Sequence, residues 1–259
     1  MAVWQWHRRQ VVLGGLLTLV PGPFACAAPA QTAQTAQNPD QGGCWLPEEQ
    51  TSSFTHSHNN GRALAREVLV SQSGVEDLEL ALVLTLQHLA DMFGVLPNFS
   101  YYEEKGGRNA KATSRDLLGG RQDGTVLLGT RLLRDLLARP YRDAAIVAVC
   151  AHEFGHIISY ANGMIHKLAA KTDASPFRAE QFADFMAGYY AGVRKREDAD
   201  FPAVMFADSV SRFGDSTHGS GTERAEAVVE GFKRAWYAQD QPLAAAQRGL
   251  AFALSRTQG

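Results

Sequence analysis

The chain has 259 residues, 45% of them hydrophobic, and its 25 basic and 27 acidic side chains leave a formal net charge of −2. That near balance, without a basic cluster, argues against nucleic acid as a partner. Past Val20 no stretch approaches the ~18 consecutive apolar residues of a membrane-spanning helix.

The first residues read as an export signal. Tryptophan and basic residues precede an apolar run from Val11 to Val20, small residues follow, and Ala25-Cys26-Ala27 offers a small-x-small cleavage site that places a mature start near Ala28. Arg8-Arg9 with the Gln-Val-Val-Leu that follows resembles a twin-arginine signal, so residues 1–27 predict a periplasmic or secreted protein. Cys26 leaves a lipid anchor open as an alternative, although Pro23 and Phe24 suit a lipobox poorly. Residues 28–60 form a low-complexity linker and a polar segment, with few large apolar groups up to Gly43. His56 and His58 in it could bind metal, but a solvated loop is the plainer reading.

Residues 61–259 make one domain, ample for a core. Helices are expected at 61–70 and 76–93, the second with Leu78, Leu82, Leu86 and Leu89 on one stripe and His88 as a surface or core histidine. Strands are expected at 97–104, 109–113 and 125–128, between glycines. Helices follow at 131–138, 142–160, 177–197, 201–213, 223–237 and 243–255. The sum is an α+β domain, mainly helical, with a small sheet beside a helical core. Arg194-Lys195-Arg196, with acids immediately after it, reads as a solvated helix end.

The chemistry sits in two of these helices. His152-Glu153-Phe154-Gly155-His156 lies in the last half of the 142–160 segment, which is apolar nearly all round and stops at Asn162-Gly163. Histidines at i and i+4 project from one face, so both imidazoles can reach one Zn²⁺ while Glu153 sits beside a metal-bound water. In a buried helix such groups need partners, since unpaired ones cost several kcal/mol. Glu180 and Asp184, again at i and i+4, sit among Phe182, Phe185 and Met186. Glu180 can complete three protein ligands, leaving the fourth position open to water, and Asp184 can accept the free ring N–H of a ligating histidine. Cys150 could pair with Cys44, yet its apolar helix makes a buried inert thiol the expected state.

These residues resemble the gluzincin metallopeptidases, in particular the HtpX and prenyl-protein (CAAX) protease group, with the neutral zinc metallopeptidases close behind. Glu180-Gln181-Phe182-Ala183-Asp184 matches the group's ExxAD segment at each fixed position. Asn109-Ala110-Lys111-Ala112 resembles its Asn-Ala-x-Ala strand, and the run from Gly124 to Thr130 resembles the strand leading toward HExxH. The run from Thr217 to Arg224 resembles a Thr-His-Pro to Arg element, with Gly219 in place of proline. The resemblance covers roughly residues 101–236 with four motifs in order.

The resemblance implies a zincin-like domain with one Zn²⁺ per chain on His152, His156 and Glu180, and Glu153 as the base of a metalloendopeptidase. It makes His218 the donor to the developing oxyanion, and Arg224 a residue that holds the His218 loop or pairs with a carboxylate. The group spans membranes several times; this chain is expected to be an exported relative without a spanning segment. A peptide or protein substrate would lie extended on a sheet edge. The strand at 125–128, with Val126 and Leu127, is the expected edge, and Asn109 and Ala110 line the same groove. Two other readings stay open: a catalytically silent zinc-binding module, and a zinc hydrolase of a non-protein amide. Glu153 speaks against the first, because structural zinc needs no base.

Overall fold

The computed structural model describes residues 68–257 except 106, 170–175 and 214–217. The export segment 1–27 with Cys26, the linker 28–60 with Cys44, His56 and His58, and residues 61–67 of the first expected helix lie outside the described residues. In chain order the elements are β1 (Val68–Val70), α1 (Glu76–Phe93), β2 (Asn98–Glu103), β3 (Ala110–Thr113), β4 (Thr125–Gly129), α2 (Thr130–Leu137) and α3 (Arg142–Ala161). There follow α4 (Ile165–Leu168), α5 (Phe177–Glu197), α6 (Val204–Ser211), α7 (Gly221–Lys233), a π-helical turn Arg234–Ala238, and α8 (Pro242–Ser255). This is a mainly helical α+β domain with one small mixed sheet, as expected.

The helices follow from their apolar periods. On α1, Leu82 and Leu89 are buried with Leu78 and Leu86 packed beside them, and Gly94 ends it in the left-handed conformation. His88 on this helix stands 3.1 Å from Glu197 and edge-on to Tyr190. The N-cap residue of α2, Gly129, has no side chain to cap it, so the buried Glu104 does so from β2's end: its oxygens accept from the backbone N–H groups of Arg131 and Leu132, both at 2.8 Å. Pro202 has no N–H to contribute, and α6 begins only at Val204, later than the pattern suggested. In α7 the Ser220 hydroxyl accepts from the Glu223 N–H and the Glu223 carboxylate from the Ser220 N–H, a reciprocal cap that moves the start to Gly221.

Two expectations fail. Val68–Val70 is a strand, not the end of a helix, pairing antiparallel with β2 in the register Val68↔Glu103. The sheet order is β1-β2-β4-β3, so β4, holding Val126 and Leu127, is an interior strand and not an edge. It runs parallel to β2 and antiparallel to β3, and all five of its residues are buried. Burial on both faces accounts for its unbroken apolar run. The edge on that side is β3. Gly129 N–H donates to Asn109 O, so residues 109, 111 and 113 turn their backbone groups toward β4, while Ala110 and Ala112 turn theirs away from it and remain buried. Tyr160 of α3 donates its hydroxyl to the Ala112 carbonyl, tying this edge to the helix behind it.

Behind the sheet, α3 is buried from Ala144 to Ser159, with α1, α2 and α6 around it and α5 against its far side. By length and composition alone it could cross a membrane, but its surface is taken up by the core. Helix α5 is equally enclosed, packed on α3, α7 and α8. The two backbones touch at Gly155, where a Cβ would stand 2.6 Å from the Cα of Ala183 and 2.9 Å from its carbonyl oxygen. Gly155→Ala should therefore lower stability by roughly 1–3 kcal/mol, read as a lower urea midpoint. Gly107→Ala, where nothing lies within 4 Å, should leave the midpoint unchanged.

Candidate metal centre

Gly155 lies three residues after His152 and one before His156; Ala183 lies three after Glu180 and one before Asp184. The helix contact is thus centred on the four polar groups, and the i, i+4 spacing on each helix turns both pairs into the seam. His152 is 3% exposed, and His156, Glu180 and Asp184 are 0% exposed, which excludes an acidic helix surface. Glu153 is buried as well.

His152 Nε2 stands 3.2 Å from Glu180 Oε2, and His156 Nε2 stands 3.6 Å from Glu180 Oε1. The two imidazoles meet edge to face with centroids 4.9 Å apart. Neither Glu180 oxygen and neither His156 ring nitrogen makes a hydrogen bond, a costly arrangement for buried polar atoms unless something binds between them. Tetrahedral ligands with bonds of about 2.0–2.1 Å lie about 3.3 Å from one another, and the observed separations bracket that spacing. His152, His156 and Glu180, with ligand atoms all within 4.8 Å of one another, form a buried group that could hold a metal ion.

Asp184 explains which nitrogen of His152 faces that group. Arg224, reaching in from α7, donates from Nε to Asp184 Oδ2 and from Nη2 to Oδ1, each at 2.8 Å. Burial pushes the Asp184 carboxyl up, but the guanidinium first and His152 second outweigh it and hold it below the usual carboxylate range. An ionised Asp184 only accepts, so a proton between it and His152, at 2.6 Å, belongs to Nδ1, and Nε2 is the ring atom that faces Glu180. Glu180 behaves alike: burial raises its carboxyl, while His218, His156 and contact with His152 hold it well below the ordinary value.

His218, expected from the sequence as a donor at the site, does arrive there. It is buried, with Nε2 3.6 Å from Glu180 Oε2, but it is outside the three-residue group whose ligand atoms all lie within 4.8 Å. Gly219 sits at φ +92°, a conformation closed to proline, and a Cβ on it would strike the Phe177 ring at 2.7 Å. The departure from the Pro-containing pattern is therefore a differently built turn that still delivers the histidine. Arg224 pairs with a carboxylate, one of the two alternatives expected of it, and also donates from Nη1 to the Phe213 carbonyl at 3.1 Å.

Cys150 is free and buried, its thiol pushed up to about 12 by burial and by Glu153, which makes it inert. Asn109 and Ala110 lie at the β3 edge, whereas Val126 and Leu127 lie inside the sheet and away from any open edge. Phe177, whose ring closes on the Gly219 position, carries no signal in the sequence beyond apolarity. No family model matches the chain, and neither does any curated protein or solved structure.

Arg224→Gln would strand a buried carboxylate, so a loss of roughly 3–5 kcal/mol is expected at neutral pH. Because the folded value for Asp184 is depressed, its contribution is present above the unfolded carboxylate value of about 3.9 and is lost as pH falls through the folded one. The gap in urea midpoint between wild type and Arg224→Gln should accordingly narrow as pH drops from 7 toward 3. A gap independent of pH would remove the charge pairing from the explanation.

Proposed function

We propose that the chain is an exported zinc metallopeptidase with a zincin-like domain, of the gluzincin kind, acting on peptide bonds. The observation that carries the reading is the buried convergence of His152, His156 and Glu180, with Glu153 on the same helix but outside the ligand group. Two imidazoles and one carboxylate suit zinc, and a site with three protein ligands is the catalytic rather than the structural pattern. Glu153 gives a further reason, since a base beside a purely structural ion would have no task.

The chemistry a zinc ion supplies in such a site is acidification of a water, to a pKa of about 7, and polarisation of a carbonyl. The chain's own residues do the rest. Glu153 accepts the proton of the attacking water and delivers it to the leaving amine nitrogen, so that the C–N bond breaks as the C–O bond forms. His218 donates toward the carbonyl oxygen as negative charge builds there, a contribution of a few kcal/mol in a water-poor site. Asp184 fixes the ring of His152, and Arg224 keeps Asp184 ionised.

The test is zinc content together with cleavage of casein. Wild type should hold one zinc per chain and cut; Glu153→Gln should keep the zinc and lose about 10²–10⁴-fold in rate. Glu180→Ala should lose far more zinc than Asp184→Asn. Wild type with full zinc and no cleavage of any peptide would replace this reading with a silent zinc-binding module.

A further inference from the structure

We infer that Phe177 is a positioning residue for His218, which rests on the peptidase reading above and on the role given there to that histidine. The residue after His218 is a glycine, and glycine gives up more backbone freedom than any other residue when it is held in one conformation. Proline would lock φ by its own ring. At Gly219, with φ +92°, the lock has to come from what surrounds the turn.

Two neighbours supply it. A Cβ on Gly219 would stand 2.7 Å from Cε2 and 3.1 Å from Cδ2 of Phe177, so the edge of that ring lies against the glycine backbone itself. The same Cβ would stand 3.2 Å from Glu223 Oε2, the oxygen that accepts from the Ser220 N–H and hydroxyl, both at 2.8 Å. A ring from α5 and a carboxylate from α7 therefore close on Gly219, and both Gly219 and Phe177 are buried.

This support is referenced to the metal group. Phe177, Glu180 and Asp184 fall at i, i+3 and i+7 on α5, a single helical face. The first meets the turn at Gly219, and the last holds Arg224 through two bonds at 2.8 Å, so the start of α7 and the turn before it are pinned to α5 from positions on either side of Glu180. His218 is the residue next to the first pin, with Nε2 3.6 Å from Glu180 Oε2. One helix thus carries both a member of the metal group and the ring that sets where His218 stands relative to it. Without that ring the glycine regains its freedom; the imidazole keeps its chemistry and loses its place.

The experiment compares the zinc-loaded full chain as wild type, Phe177→Leu, His218→Gln and the double variant. Three quantities are read: zinc content, kcat and KM on a casein-derived peptide that wild type cleaves, and the calorimetric affinity of a phosphonate analogue of that peptide, whose tetrahedral oxygens stand in for the oxyanion. Phe177→Leu should hold zinc as wild type does, keep its KM and lose about 10- to 100-fold in kcat, with the analogue weakened by a similar factor. In the double variant the loss should equal that of His218→Gln alone, because the support has nothing left to position. Gly219→Ala, which forces the same contact from the other side, takes the place of Phe177→Leu if that variant does not fold. An undiminished kcat in either single variant, a loss accompanied by loss of zinc, or losses that multiply in the double variant overturn this inference and leave the peptidase standing. A zinc-loaded wild type that cleaves no peptide and binds no phosphonate overturns both.

Discussion

The backbones of α3 and α5 touch at Gly155 and Ala183, and the site exists because nothing larger stands between them. Two helices in ordinary side-chain contact keep their axes 8–10 Å apart. Here small residues remove that spacing locally, and the histidines on one helix come within 3.2–3.6 Å of the carboxylate on the other. Every later feature, from the orientation of His152 to the seat of His218, is arranged around this seam. Both helices are enclosed over most of their length, so neither can roll to relieve the polar groups they share.

What the sequence made legible was whatever repeats at a helical period. The bounds of α1 and α5 coincide with those read from their apolar spacing, and the i, i+4 pairs on α3 and α5 identify four of the residues that meet. Asp184 could be assigned to a histidine because a carboxylate one turn beyond a ligand has few other partners within reach. The Ser220 and Glu223 cap was not read from the sequence, although Ser-x-x-Glu carries its own mechanism, and it sets the start of α7 two residues ahead of the expected one.

Pairing of strands was not legible. Thr125–Gly129 is an apolar run in either an edge or an interior position, and only the tertiary partner distinguishes them. Its parallel partner β2 precedes it by a stretch that contains β3, so order along the chain misleads about order in the sheet. Val68–Val70 is a strand only because Glu103, Tyr102 and Tyr101 lie beside it; three residues on their own carry no period. The distance from His218 to Glu180 depends on a left-handed turn at Gly219 and the ring of Phe177, neither of which spacing can reveal.

The partner that steadies Asp184 is a guanidinium rooted in α7, not the ion whose ligand it orients. The His152 ring is aimed by charge that belongs to the chain, whereas small zinc-dependent modules rely on the ion itself for their order. One of the three side chains is thus set in place by the fold alone, ahead of any ion it could hold.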